Sequence, residues 1–471
     1  MSASRSEAES STASGDGAQA YRHVLCVYPY RVELSRHVHW PPLGLEFIAA
    51  ALRPYAKEID VIDLRRESGN AADFVRPDTD LICVSVNWGL EGDFVRETIR
   101  SLPEKVTTIA GGRHVSEDPE IWLNDCPNID VVVRGDGEEA IDEIARGIPL
   151  EKIDGISYRT KDGLSHTRVR DMKPLRDDLY PDRSLRRYTY SVPPEAALGS
   201  VTLDSVAASR GCPFNCTFCS FDRNPWGKKR SWSARSPESV VDELEQVESK
   251  YIIFVDDNFT HDMDRVGAIC DLILERGIRK RYAVNARVEV ARRPDVLRKM
   301  ERAGFAVLLL GVESAQDKTL RSMRKGFTTK QLRKYFKVLR KTRMILHGYF
   351  IIGAIGESEK EMLEIAPFAR ELGLDSVGLC TLRNGKYTGL EELVAASPGY
   401  HIKSNGDIYS DDIPTSRLRE IRHIICRHFY YRPGHVLHML SKMLRNDMLP
   451  LKMLMRLPGF LMRKIVRWLP T

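Results

Sequence analysis

The sequence predicts an α/β protein: a Rossmann-like domain first, then a partial (β/α) barrel, then a helical C-terminal region. Three observations carry this. Short apolar runs recur between residues 22 and 147 and again between 201 and 400, separated by stretches of helical spacing. Most of these runs are apolar clusters rather than alternations, as suits strands buried on both faces of a parallel sheet. In the first unit, Gly111-Gly112 and Gly135-Asp136-Gly137-Glu138 fall just after strands, where ligands sit in open α/β sheets.

His23–Tyr28 reads as a buried strand ended by Pro29, and Gly44–Leu52 as a helix with Leu45, Ile48, Ala49 and Leu52 on one face. Ile59–Ile62, Leu81–Val86, Val106–Ala110 and Ile129–Val133 are the further strands of the unit. Residues 148–200 change character. A hairpin turning at Asp162-Gly163 precedes a linker rich in Pro, Asp and Arg. From Val201 the βα pattern resumes. Ser205–Ala208 leads into a cysteine-rich loop, and Ser236-Pro237 is the cap and first turn of a helix. Strands are expected at Tyr251–Val255, Arg281–Val284, Ala306–Leu310 and Gly348–Ile352. In a parallel barrel the active site lies at their C-terminal ends. Residues 415–445 read as helix. The expected domains are a leader (1–21), the Rossmann-like unit (22–147), hairpin and linker (148–200), barrel (201–400) and C-terminal region (401–471).

The 471 residues suggest roughly three domains. With 42% hydrophobic and 29% charged residues, the chain is not a disulfide mini-scaffold, a collagen, a coiled coil or wholly disordered. The net charge of +6 is unevenly spread. Residues 421–471 hold ten basic side chains and one acid, a local +9, while residues 1–420 carry −3. Nine cysteines, an odd count without a secretory signal, point to a reducing cytoplasm rather than a disulfide framework. No run reaches the ~18 apolar residues of a membrane span.

The most specific motif is Arg210-Gly-Cys-Pro-Phe-Asn-Cys-Thr-Phe-Cys-Ser220, which sets Cys212, Cys216 and Cys219 at C-x₃-C-x₂-C. Three thiolates on one loop can hold three irons of a [4Fe–4S] cube and leave the fourth without a protein ligand. A closed zinc site would need a fourth Cys or His. The nearest histidines are His166 and His261, both more than forty residues away.

On these residues the chain resembles the radical S-adenosylmethionine (SAM) enzymes over about residues 201–400. The resemblance implies that the open iron chelates SAM and that one electron cleaves it to methionine and a 5′-deoxyadenosyl radical. It implies that Phe218 lies near the adenine, and that Asp257 and Asn258 face the SAM amino group, although Asp256-Asp257-Asn258 stands where the family has Gly-Gly-Glu. Arg287 would face the SAM carboxylate and Glu313 the ribose hydroxyls. Gly353-Ala-Ile-Gly-Glu357, including Ile355, would pass beside the adenine. No residue is singled out as a catalytic acid or base.

The first unit resembles the cobalamin-binding subgroup of that family through Trp40-Pro-Pro-Leu-Gly44, Ala110-Gly-Gly112 and Val133-Arg-Gly-Asp-Gly-Glu138. Ser85, Asn87, Gly111, Gly112, Gly135, Asp136, Gly137 and Glu138 are the implied cobalamin-binding residues. The Asp-x-His-x-x-Gly motif that supplies an axial histidine elsewhere is absent, so a base-off cobalamin without a protein ligand is expected. His37 and His39 in the loop after the first strand are the other candidates for that ligand. The tRNA methylthiotransferases share the domain order and hold a second cluster on three N-terminal cysteines. Here Cys26 and Cys83 fall inside apolar strands, where a small buried hydrophobe is the common reading.

The resemblance implies a cobalamin-dependent methylation of an unactivated carbon in an apolar small molecule. Ring formation or rearrangement, of the porphyrin cyclase or hopanoid kind, is the runner-up, and a non-catalytic cobalamin or redox sensor is a weaker alternative. An electron donor such as flavodoxin or ferredoxin is the implied partner. The tail places six of the thirteen methionines among Lys and Arg, the pattern of an interfacial helix. It suggests attachment of residues 439–471 to the inner face of the membrane, whereas no nucleic-acid-binding fold is recognisable.

Overall fold

The computed structural model describes residues 20–31, 40–89, 91–192 and 201–448. Its first sheet contains β1 (Tyr21–Tyr28), β2 (Ala56–Asp63), β3 (Thr79–Ser85), β4 (Thr107–Gly111), β5 (Val131–Val133), β6 (Ile156–Thr160) and β7 (Gly163–His166), in the order β2-β1-β3-β4-β5-β6-β7. The first five strands pair in parallel. Val24, Leu25, Val27, Ile82, Val84 and Val132 are almost completely buried, which is why these runs show no alternation. The hairpin β6–β7 is not separate from this sheet. It adds antiparallel to β5 and covers an edge that would otherwise offer unpaired backbone groups.

The second sheet begins with β8 (Ser191–Val192) and β9 (Val201–Val206). A two-stranded ladder, β10 (Ser209–Arg210) with β11 (Ser233–Ala234), brackets the cysteine loop. The sheet continues through β12 (Tyr251–Phe254), β13 (Arg281–Ala286), β14 (Phe305–Glu313), β15 (Ile345–Ile352) and β16 (Ser376–Thr381). From β9 to β16 the strands are parallel and neighbours follow chain order. Adding each strand on the same side produces an open half-barrel with helices outside. As expected, the Ser236 hydroxyl accepts from the Ser239 amide at the start of the helix Pro237–Gln246, and Val240, Val241 and Leu244 bury its inner face.

The C-terminal region, expected to be helical from 401, opens instead with a two-stranded hairpin, Tyr400–Ile402 paired with Ile408–Ser410. It then forms two helices, Thr415–Tyr430 and Pro433–Arg445, where the sequence suggested one. Pro433 forces the preceding Arg432 into extended backbone, φ −139° and ψ 129°, and the helix breaks there. The first helix buries Leu418, Ile421, Ile425 and Phe429 in the barrel core. The second lies across the N-terminal ends of the strands. Lys442 donates to the Met344 carbonyl and pairs with Asp375, Arg281 donates to the Asn446 carbonyl, and Lys250 pairs with Asp447. Each barrel partner begins or immediately precedes a strand. Met448 is the last residue described, so Met453, Met455, Met462, Phe460 and Trp468 lie outside the described residues. Among those described, no helix is long and apolar enough to cross a membrane.

The linker carries the contacts that join the two sheets. Arg186 makes bidentate bonds to Glu46 of the helix Leu43–Leu52 (2.6 and 2.7 Å) and to Asp204 of β9 (2.6 and 2.9 Å). Arg183 reaches Asp204 at 3.3 Å and Glu243 at 2.6 Å, and Arg235 also pairs with Glu243. Glu46, Asp204 and Glu243 are at most 3% exposed. Burial raises the Glu46 carboxyl even with Arg186 beside it. Arg186→Met would leave Glu46 and Asp204 buried without that cation, and loss of about 3–5 kcal/mol of stability is expected. Denaturant unfolding of the full chain measures it; a change within ±0.5 kcal/mol would mean that the pairs are not coupled to folding.

Candidate active site

The cysteine loop leaves β10 through Gly211, whose φ of 82° favours glycine. A Cβ there would lie 2.8 Å from the Ser231 carbonyl. The Gly211 amide donates to Asp257 Oδ2 at 2.9 Å, and the Thr217 amide donates to the Met323 carbonyl at 3.3 Å. The loop is therefore tied to the ends of β12 and to the segment after β14. Arg113, from the first domain, donates to Ser220 Oγ at 2.6 Å and to its carbonyl at 2.9 Å.

Cys212, Cys216 and Cys219 are free and partly exposed. Burial raises the Cys212 thiol and pushes that of Cys219 up to about 12, with the neighbouring sulfurs adding to the effect. Backbone amides of Phe214 and Phe221 oppose it by donating to these sulfurs. Thiolates in this setting call for bound positive charge, which irons would supply. Among the described residues no three His, Cys, Asp or Glu side chains are gathered as a ligand set for a single ion. A cube instead takes each sulfur to its own iron. Cys26 and Cys83 lie side by side and buried on β1 and β3, while Cys126 faces the Arg96 carbonyl from another part of the domain.

The strand ends close around this loop. Asp256 accepts from the Ala208 amide and from Ser209 Oγ, and burial raises its carboxyl to about 6. Asp257 is committed to Gly211, and Asn258 is buried and accepts from Thr260 Oγ1 at 3.3 Å. The Arg287 guanidinium stands 3.7 Å from the centre of the Phe214 ring and 3.9 Å from Cys216 Sγ, paired with Glu289 at 2.8 Å. Glu313 ends β14 with a φ of 69°, a strained conformation for a residue with a side chain. The register shifts between Gly311 and Glu313, and the carboxylate meets Lys325 Nζ at 3.1 Å.

Lys325 was not legible as a site residue. It is 5% exposed, its ammonium lies 5.9 Å from the centre of the Phe218 ring, and its carbonyl accepts from Arg287. It links the predicted Arg287, Glu313 and Phe218. Ile355 packs in the same apolar cluster as Phe218, with Met323 and Ile351. At Gly353 a Cβ would meet Leu418 at 3.1 Å, so the chain passes close to the helix Thr415–Tyr430 there. Nearby, burial raises the Glu357 carboxyl to about 7 although Ala354 donates to it at 3.2 Å.

Above the first sheet lies a cavity of about 310 Å³. Ser85, Asn87, Gly111, Gly112, Gly135, Asp136, Gly137 and Glu138 all line it. Its opposite wall is Arg210, Arg223, Asn224, Pro225 and Arg230 of the barrel domain. A Cβ at Gly44 or Gly111 would meet nothing within 4 Å, so a side chain there would fill the cavity. Bare backbone over an apolar floor of Leu45, Ile48 and Val133 suits the face of a flat macrocycle such as a corrin. Asp136 and Glu138 line the wall but hold Arg230 (2.8 Å) and Arg210 across the domain boundary. Burial would raise the Glu138 carboxyl, yet the Arg210 charge holds it below the usual range. His37 and His39 lie outside the described residues.

Residues 206–369 match the radical SAM superfamily model and residues 33–145 the B12 binding domain model. An uncharacterized methyltransferase of Pyrococcus horikoshii is 30% identical over 349 residues, covering 71% of this chain and 74% of that protein. A hopanoid C-3 methylase of Methylococcus capsulatus is 29% identical, covering 64% of this chain and 59% of its own length. The fold is similar to that of TsrM from Kitasatospora setae, a radical SAM methyltransferase solved with cobalamin and a [4Fe–4S] cluster bound. The TM-score is 0.66 and the identity 19%, over 88% of this chain and 82% of that one.

Two outcomes are expected at this site. Lys325→Met should weaken SAM binding about tenfold or more, by leaving Glu313 buried without its cation, while iron content is retained; equilibrium dialysis of the reconstituted protein measures both. Glu357 has a folded pKa of about 7 against an ordinary 4.5. The folded state thus keeps a proton that the unfolded state has lost, and stability falls as pH rises through this window. Glu357→Gln should remove that fall, read as the difference in unfolding midpoint between roughly pH 5 and pH 8.

Proposed function

Because the chain belongs to the cobalamin-binding family of radical SAM enzymes, we propose that it transfers a methyl group to an unactivated carbon of an apolar small molecule. When bound, the [4Fe–4S] cluster, SAM and cobalamin supply the electron, the 5′-deoxyadenosyl radical and the methyl group. The residues hold and separate these groups. In this reading Cys212, Cys216 and Cys219 carry the cluster. Arg287 and Asn258 orient the methionyl end of SAM, and Glu313 with Lys325 orients the ribose. Phe218 and Ile355 flank the adenine. Ser85, Asn87, Gly111, Gly112 and Gly135 lie beneath the corrin, while Asp136 and Glu138 lock its rim by holding Arg230 and Arg210.

The observation that carries this reading is the wall shared by the two sites. Arg223, Asn224 and Pro225 line the cavity over the first sheet and follow Cys219 by only a few residues. A methyl donor in that cavity and a radical formed at the cluster would therefore meet over one substrate.

The reconstituted protein, given SAM with a trideuterated methyl group and candidate lipids or tetrapyrroles, should form 5′-deoxyadenosine and a product heavier by one labelled methyl. Mass spectrometry of the products decides it. 5′-Deoxyadenosine with a ring-closed, unlabelled product would replace methylation by cyclisation. No 5′-deoxyadenosine from protein with a full cluster would overturn the enzyme reading.

The C-terminal region supports a finer statement about location, that it docks on an anionic membrane surface. In the helix Pro433–Arg445, Leu437 is 71% exposed, and Val436 and Leu444 are exposed too. The chain around and after them is basic. Because this helix underlies the N-terminal ends of the strands, docking would leave the catalytic mouth facing away from the bilayer. Leu437→Glu/Leu444→Glu should reduce co-sedimentation of the full chain with vesicles containing phosphatidylglycerol; binding equal to that of the unsubstituted chain, or none by either, ends the idea.

A further inference from the structure

We infer that the surface hollow outside the cysteine loop is the docking face for an acidic one-electron carrier protein of the flavodoxin or ferredoxin kind. The inference rests on the radical SAM reading, since only a cluster on Cys212, Cys216 and Cys219 requires such a partner.

The hollow is open, about 540 Å³, and is lined by Pro213, Lys229, Ser231, Trp232 and His261. Pro213 is bonded directly to Cys212, so the surface comes within one residue of a cluster ligand. The floor is aromatic. The His261 ring packs edge-on against Trp232 at 4.9 Å and against Phe214 at 6.3 Å. Trp232 in a concave patch is the kind of anchor on which protein interfaces concentrate their affinity.

The hollow carries a positive charge on Lys229, which is exposed, and the exposed Lys228 precedes it in the chain. Among the described residues neither makes an ion pair. The neighbouring acids have partners of their own. Asp262 caps the helix Met263–Glu275, and Asp264 pairs with Arg293 at 2.7 Å. A carrier with an acidic face would be steered here and held in register.

The hollow and the cavity over the first sheet lie on opposite sides of one extended segment. Arg230 lines the cavity, whereas Lys229 and Ser231 line the hollow. Alternation along an extended chain sends neighbouring side chains to opposite faces. A protein seated on the hollow would therefore leave the cavity and its contents in place. On docking, the carrier loses one electron and the cluster gains it; no atom is exchanged.

The test uses the full chain with its cluster reconstituted, an FMN flavodoxin as the probe, and dithionite as a reductant that needs no docking. Lys229→Glu should weaken flavodoxin binding about threefold or more at low ionic strength, measured by biolayer interferometry. Flavodoxin-driven SAM cleavage should slow in step, with the dithionite-driven rate unchanged. Trp232→Ala should weaken binding without altering its salt dependence. Unchanged flavodoxin affinity in the lysine variant would overturn the assignment. So would an equal loss of cleavage with both reductants, because the substitution would then act on the cluster and not on docking. Failure of the unsubstituted protein to cleave SAM with dithionite would instead sink the enzyme reading, while the binding measurement still reports on this face.

Discussion

The alignment of two sheets over one reaction volume depends on the charges buried between them. Arg183 and Arg186 come from a linker with almost no regular structure, yet they bond Glu46 of the first domain and Asp204 and Glu243 of the second. Three carboxylates removed from water would be prohibitive without cations, and Arg183, Arg186 and Arg235 satisfy them with directed bonds, those of Arg186 bidentate. A hydrophobic seam of the same area could slide. This one holds its geometry only in a single register, so the helix Leu43–Leu52 and β9 are fixed against one another.

A second set of pairs repeats the device closer to the chemistry. Arg113 grips Ser220 beside Cys219, and Arg210 and Arg230 hold Glu138 and Asp136. Each pair crosses from one domain to the other around the rim of the same cavity. The strand ends carry the residues proposed to meet the cofactors, and the arginines decide how far apart the two sets of strand ends stand. The half-barrel is closed below by the helix Pro433–Arg445, at the end remote from the site, so the tail's charge and the catalytic centre are separate features of the molecule.

Much of this was legible. Parallel strands show as unbroken apolar runs because both faces are covered, and cysteine spacing on one loop needs no tertiary information. The residues read as cobalamin-binding all line one cavity, because glycine-rich turns after parallel strands must collect at one sheet edge. Other features were hidden. Lys325 sits in an ordinary basic stretch of helix end and turn, and only the folding of that turn under Glu313 makes it part of the site. The hairpin β6–β7 is correct as a local unit, but nothing local says which sheet edge it joins. The break before Pro433 was available from proline chemistry, yet amphipathic spacing continues across it and masks it.

By itself the sequence determined the fold class, the order of the two sheets, the cysteine loop and the residue types at the strand ends. Those depend on patterns within one element, where neighbours along the chain are also neighbours in space. Tertiary structure alone decided which arginine meets which carboxylate, that Asp136 and Glu138 serve the domain boundary as well as the cavity, and that Lys325 pairs with Glu313. It also decided that the basic tail starts from the far end of the barrel. Such pairings join residues as far as 197 positions apart, and long-range contact between charged side chains leaves no periodic trace in the sequence.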